Sequence, residues 1–217
     1  MCGVFRWSIV VPVKRLAVAK TRLRGAAADH RGLVLAMAVD TVAAALACRS
    51  TAAVVVVTDE PVAAEELTAL GAVCVPDVPD AGLNPALAHG ADIARGGDPA
   101  GAVAALGSDL PALRPDELAD ALRVAGDHER AYLPDAAGGG TTLLTARRSA
   151  LAPAFGTGSA RAHERSGAAR LDGDWPSLRR DVDTAADLAA AAALGLGSRT
   201  SALLSRLAGS ARAGPSR

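Results

Sequence analysis

Two stretches of the chain, residues 7–13 (WSIVVPV) and 52–58 (AAVVVVT), are apolar at nearly every position and rich in β-branched side chains. A strand wetted on one side alternates apolar and polar residues. A continuous apolar run of this length instead marks a strand buried on both faces, as in a parallel sheet. Weaker runs of the same kind occupy residues 72–75 and 102–106, and helical patterns fill the gaps at 32–47, 63–70, 85–95 and 115–124. Pro61 and Pro115 suit helix starts, where a missing N–H costs nothing. Strand and helix in alternation predict an α/β protein: a three-layer, Rossmann-like arrangement with a mostly parallel central sheet flanked by helices.

Beyond residue 130 the pattern loosens. Residues 130–133 and 141–145 read as strands around the turn AAGGG, and 155–168 (FGTGSARAHERSGA) as a polar loop entering a short helix. Residues 179–183 resemble a last short strand, and 184–194 a final Ala-rich helix. From Gly197 the Ser, Gly and Arg content predicts a frayed, flexible tail, although SALLSRLA could form a short helix. The expected organisation is one domain over residues 6–196 and a tail over 197–217, with no internal repeat and no linker.

Composition narrows the function. The 23 basic and 23 acidic residues cancel, so a broad electrostatic grip on nucleic acid or on an anionic membrane is not expected. Aromatics make up 2% of the chain, too few for a base-stacking platform. Cys2, Cys48 and Cys74 fit neither a disulfide framework nor a zinc site, which predicts reduced thiols in a cytoplasmic protein. Residues 1–8 do not read as a signal peptide. Asp40 interrupts the longest apolar run before the roughly 18 residues a membrane helix needs. Any anion must therefore be bound by a local cluster of charge.

Several such clusters exist. Lys14, Arg15, Lys20, Arg22 and Arg24 follow the first strand, at the carboxyl edge where open α/β sheets bind ligands. Cations there could hold a triphosphate and stabilise charge in phosphoryl transfer; the alternative is a solvated surface loop. Residues 106–111 (LGSDLP) end a strand in a lone carboxylate at the same edge. Asp109 is thus the best single candidate for a hard divalent cation, the alternative being a cap or turn residue. In RRDVDT (residues 179–184), a strand period of two would put Asp181 and Asp183 on one face. One could join Asp109 on the metal while Asp183 caps the next helix, and Asp187 reads as a solvated helix residue. The runs GGGTT (138–142) and GTGS (156–159) offer free amides and hydroxyls for a phosphate or carboxylate, although most such runs are turns. Neither matches a Walker A loop, and no G-x-G-x-x-G follows the first strand, which lowers ATPase and dehydrogenase readings. Of the scattered histidines, His163 lies between Arg161 and Arg165 and could contact an anion.

In order along the chain, VPVKRLAVAKTRL, VVVTDE, GLNPALAHG, GSDLP, GGGTTLL, FGTGSARAH and RRDVDTAADL resemble the CofC/FbiD guanylyltransferases of coenzyme F-420 biosynthesis. The resemblance spans roughly residues 7–194. It implies a nucleotidyltransferase fold like that of the molybdenum-cofactor guanylyltransferases, whose glycine loop after the first strand is replaced here by the Lys/Arg-rich segment. It implies GTP as nucleotide donor and magnesium as cofactor. Lys14, Lys20, Arg22 and Asp109 would be catalytic, and Asp109 and Asp181 would hold the metal, with Asp183 kept as a further candidate ligand from its place in RRDVDT. Leu83 and Asn84 would lie near the guanosine, and Thr141, Thr142, Gly156 and Ser159 would hold a phosphorylated acid. Thr142 stands where many members carry Asn. The acceptors used in the family are phosphoenolpyruvate, 2-phospho-L-lactate and 3-phosphoglycerate, and the Ala- and Arg-rich composition favours the first by association with actinobacterial members. Rival readings are a nucleotidyltransferase acting on a sugar phosphate or a molybdopterin, and a nucleotide-binding regulatory protein without turnover.

Overall fold

In the computed structural model, which describes residues 6–14, 23, 29–78, 80–98 and 100–212, the two Val-rich runs lie side by side. Strand β1 (Trp7–Pro12) pairs in parallel with β2 (Thr51–Val57), with Ile9 opposite Val54 and Val11 opposite Val56. Strand β3 (Val73–Val75) extends the sheet beyond β2, and β4 (Val103–Leu106) lies on the other side of β1, both in parallel. Strands β5 (Arg130–Pro134) and β6 (Thr141–Ala146) form a hairpin, and β6 is antiparallel to β4 as well as to β5. A two-residue β7 (Ala169–Arg170) closes the edge, giving the order β3-β2-β1-β4-β6-β5-β7.

The period of two along the buried strands builds a core on each face. Ile9, Val11, Val54, Val56 and Leu106 pack with α1 (His30–Ala47), α2 (Pro61–Ala69) and α4 (Pro115–Ala125). Val10, Val57, Val103 and Ala105 pack with α3 (Leu83–Arg95) and α5 (Ser159–Arg165) on the opposite face. Each buried Val, Ile or Leu side chain among these stabilises the fold by about 1.5–3 kcal/mol relative to exposure. Helix α3 lies so close that a Cβ on Gly90 would sit 2.6 Å from the side chains of Val10 and Val57.

A third core explains why α1 is so uniformly apolar. Its outer face, with Leu33 and Met37, packs against Val182, α7 (Ala185–Leu194) and α8 (Ser198–Arg212). By length and composition α1 could cross a membrane, but here it is an internal helix between the sheet and α8.

Helix α8 corrects the expectation of a frayed tail. Its first amides, those of Arg199 and Thr200, donate to the Asp40 carboxylate at 3.0 and 2.8 Å. A Cβ on Gly197 would meet that carboxyl carbon at 2.2 Å, so the entry to α8 needs glycine. Thr200 and Leu203 are buried. The sequence hides this helix because its cap comes from a residue 159 positions away.

The segment read as a last strand is also different. Residues Pro176–Arg179 form one helical turn, α6, and residues 180–184 are irregular. The strand argument for a shared face of Asp181 and Asp183 therefore falls. Asp183 is not the cap of α7: Thr184 is, in a reciprocal capping box with Asp187. Asp187 is a cap partner rather than a solvated residue, and that role holds its carboxyl below the usual range.

Candidate active site

In the order β2-β1-β4 the chain reverses its direction of travel across the sheet at β1, the topology that opens a crevice at the carboxyl ends of neighbouring strands. A cleft of about 700 Å³ lies there. Pro12, Val13 and Lys14 line it after β1, and Gly107, Ser108 and Asp109 line it after β4.

The Asp109 turn is held mainly by main chain. The Gly107 amide donates to the Thr142 carbonyl at 3.0 Å, and the Val182 amide donates to the Asp109 carbonyl at 3.0 Å. This second bond carries Asp181 and Asp183 to the same cleft. Thr41, fully buried within α1, donates to the Met37 carbonyl and accepts from the Leu110 amide at 3.0 Å. Its only sequence signal was a hydroxyl inside an apolar helix.

Asp109 and Asp181 are half-buried and Asp183 is exposed. Carboxylates suit a hard divalent cation, which needs one or two of them beside phosphate oxygens. The oxygens of all three do not lie within 4.8 Å of one another, however. Among the described residues, the group of three whose oxygens all lie within 4.8 Å is Asp59, Asp77 and Asp80, near the ends of β2 and β3. There burial, with the Asp59 and Asp80 charges, raises the Asp77 pKa, and Lys14 and His89 oppose the rise. Lys14 is exposed at the cleft. Lys20 and Arg22, with Arg15 and Arg24, lie outside the described residues.

The opposite wall is built from two glycine-containing loops. Asp135, unremarked in the sequence, accepts the amides of Gly139 at 3.0 Å and Gly140 at 2.8 Å. A Cβ on Gly140 would lie 2.2 Å from its Oδ2. The expectation that amides of GGGTT are free for an anion therefore fails at these two positions, because the protein supplies its own carboxylate. An Asp followed at short range by glycines was the available signal. In the second loop, Gly156 and Gly158 have φ of +132° and +73°, which only glycine adopts without strain. The Ser159 amide donates to Gly156 and the Ala160 amide to Gly139, tying the loops together. Thr141, Thr142, Gly156 and Ser159 all line the cleft. Thr142 is buried, and its hydroxyl has no hydrogen-bond partner among the described residues.

Two expected ligand contacts are scaffold instead. Asn84 donates to the Phe155 carbonyl at 3.0 Å and accepts the Phe155 amide at 2.7 Å, so both ends of its side chain clamp the second loop. Leu83 and Leu87, rather than Asn84, line the cleft. His163 is fully buried, against the edge of Phe155 at a centroid distance of 5.1 Å. Burial, followed by the Arg130 charge, lowers its pKa to about 4. A neutral, enclosed imidazole does not make the anion contact expected of it.

The family description matched by residues 7–212 is "Guanylyl transferase CofC like". The chain belongs to that family. It is 57% identical over 211 residues to a phosphoenolpyruvate guanylyltransferase of Geodermatophilus obscurus, covering 94% of this chain and 96% of that one. It is 60% identical over 202 residues to one from Salinispora arenicola, covering 91% and 92%. Solved structures share the fold at lower identity. A putative nucleotide-diphospho-sugar transferase from Desulfovibrio desulfuricans matches at 19% identity with a TM-score of 0.67, over 93% of this chain and 95% of that one. A 4-diphosphocytidyl-2C-methyl-D-erythritol synthase matches at 16% with a TM-score of 0.60, over 87% and 99%. The expected nucleotidyltransferase fold and the guanylyltransferase family are both borne out.

Proposed function

We propose that this protein transfers GMP from GTP to phosphoenolpyruvate, giving enolpyruvoyl-2-diphospho-5'-guanosine and pyrophosphate in the cytoplasm, as a step of coenzyme F-420 biosynthesis. The observation that carries this reading is a single cleft with Lys14, Asp109 and Asp181 on one wall and Thr141 and Ser159 on the other. It belongs to a chain 57% and 60% identical to proteins bearing that acceptor in their names.

A phosphate oxygen of the acceptor attacks the α-phosphorus of GTP in line, and pyrophosphate leaves from the opposite side. The acceptor is already an anion, so no general base is required. The protein has to bring two anions together, against a repulsion of about 4 kcal/mol for unit charges at about 4 Å and an effective dielectric near 20. Lys14, with Lys20 and Arg22 from the segment after it, is assigned to offset that charge. Asp109 and Asp181 fit magnesium, with Asp183 as an outer, exposed carboxylate. When bound, the ion supplies positive charge to the phosphate oxygens. The Gly156–Ser159 loop and Thr141 orient the acid, and the apolar surface of Leu83 and Leu87 faces the nucleoside. Positioning and electrostatics then carry the rate.

The direct test is pyrophosphate release from GTP and magnesium with phosphoenolpyruvate, 2-phospho-L-lactate or 3-phosphoglycerate, each product being weighed by mass spectrometry. Release with phosphoenolpyruvate alone supports the assignment. Release with only another acid reassigns the acceptor. Silence with all three removes the catalytic reading in favour of nucleotide binding without turnover.

A further inference from the structure

Among the buried titratable side chains of the described residues that the site leaves unused is His163. His163 has no access to solvent and does not line the cleft, yet it makes two side-chain hydrogen bonds. The Ala154 amide lies 2.9 Å from its Nε2, and its Nδ1 lies 3.0 Å from the Thr141 hydroxyl. Thr141 is the first residue of β6 and lines the cleft.

The order of these contacts fixes a proton. A backbone N–H can only donate, so Nε2 must be the acceptor and carries no hydrogen. In a neutral imidazole the hydrogen is then on Nδ1. Nδ1–H in turn donates to Thr141 Oγ1, occupying one of its lone pairs. The Thr141 hydroxyl hydrogen, which would otherwise be spent on the ring, is left for a ligand. With the other tautomer Thr141 would have to donate into the ring and would present lone pairs to the cleft, which repel an anionic oxygen. The low pKa of His163 keeps the ring neutral at neutral pH.

We propose that His163 is a positioning residue which, by fixing its own tautomer on the Ala154 amide, makes Thr141 a hydrogen-bond donor to an anionic oxygen of the acceptor. This rests on the reading that the phosphorylated acid lies against Thr141. The role is one of acceptor recognition: Ala154 sets the ring, the ring sets the hydroxyl, and the hydroxyl selects a carboxylate or phosphate oxygen. His163 is enclosed by Tyr132 and Phe155, whose rings lie 6.0 and 5.1 Å away, so it has little freedom to adopt another arrangement.

Three variants of the full chain test this by steady-state kinetics with phosphoenolpyruvate and GTP. His163→Gln keeps an acceptor near the Nε2 position and lacks the donor at Nδ1; His163→Asn keeps a donor near Nδ1. Thr141→Val removes the hydroxyl. His163→Gln and Thr141→Val are each expected to raise the acceptor KM about tenfold, with the GTP KM unchanged and kcat within about twofold. His163→Asn recovers most of the acceptor KM. The double variant His163→Gln/Thr141→Val is no worse than Thr141→Val alone, because both act through one hydroxyl. Effects that multiply in the double variant, or a GTP KM that rises in step with the acceptor KM, would overturn the proposal and leave His163 a packing residue. Nitrogen-15 spectra of the imidazole read the tautomer directly, and hydrogen on Nε2 would overturn the proposal whatever the kinetics. A wild-type protein silent with phosphoenolpyruvate but active with another acid would sink the acceptor assignment alone, and the same variants would then be read against that acid. Silence with all three acids removes both readings.

Discussion

The two walls of the cleft are held by different means. On the side of β1 and β4, the Asp109 turn is pinned by main-chain bonds to Thr142 and Val182, and the end of β1 by the Val13 amide on Val57. On the side of β6 and the 151–159 loop, main-chain bonds such as that from Ala160 to Gly139 are joined by several clamps from individual polar side chains. Asp135 holds Gly139 and Gly140, Asn84 holds Phe155, and His163 holds Ala154 and Thr141. Main-chain bonds survive most substitutions, whereas each side-chain clamp is lost with one residue. The first wall thus keeps its shape under mutation and depends on a few exposed or half-buried charges for its chemistry. The second depends on buried polar residues for its shape, and it is the wall where acceptor preference can change.

The largest expected effect strips the first wall of chemistry without touching its form. Asp109→Ala should lower kcat about 10³-fold, since the loss of one electrostatic stabiliser commonly costs about 10²–10³ and a metal ligand counts for at least as much. The thermal midpoint should hold, because the main-chain bonds to Thr142 and Val182 and the Thr41 hydroxyl on the Leu110 amide are all kept in the variant. Activity within tenfold of wild type, read by pyrophosphate release, would remove Asp109 from the metal site.

The next effect falls on the second wall. In Gly140→Ala the new methyl would lie 2.2 Å from Asp135 Oδ2, so the carboxylate must leave the two amides that it organises. The acceptor KM should rise about 10²-fold, corresponding to the loss of about two charge-assisted hydrogen bonds. The GTP KM should change little. An equal rise in both constants would mean that the walls move as one body, and the contrast drawn between them would fail.

The same contrast governs how far the sequence could be read. Strands β1, β2 and β4 are buried on both faces, so each writes a continuous apolar run and is legible without knowledge of its neighbours. The carboxylate at the end of β4 follows from that strand alone. Asp135, Asn84 and His163 depend on partners up to 71 positions away, and their residue types fit a turn, a nucleotide contact or an anion contact equally well. Residues 179–183 misled for a related reason. The alternation of Arg, Asp and Val imitates a strand, whereas Val182 is buried against α1, α7 and α8 and bonds through its amide to Asp109. Family resemblance supplied the roles that spacing could not, and it assigned Asn84 to the nucleotide although its amide is committed to Phe155.

Acidity should also discriminate between the walls. His163 titrates near 4 in the folded protein and near 6.5 when unfolded, so between these values the unfolded chain binds more protons. The stability this histidine contributes is therefore fully present above about pH 6.5, falls as the pH drops through this window, and loses about 3 kcal/mol by pH 4. Denaturant unfolding at a series of pH values checks this, and His163→Asn should flatten the slope. An unchanged slope in that variant would assign the acid sensitivity to other groups.

The smallest effect lies away from both walls, at the junction of α1 and α8. Asp40 accepts two amides at the start of α8, and its charge favours the positive end of that helix. Asp40→Asn keeps one acceptor oxygen and loses the charge, which should cost about 1 kcal/mol and lower the thermal midpoint by about 2–4 °C. Because α8 contributes no lining residue to the cleft, which α1 lines through Val34, Met37 and Ala38, kcat and both KM values should stay at wild-type levels. A drop in kcat would show that α8 reaches the cleft through α1. The route exists in principle, since Thr41, next to Asp40 in α1, accepts the Leu110 amide beside Asp109. A purely thermal effect would instead confine Asp40 to anchoring α8.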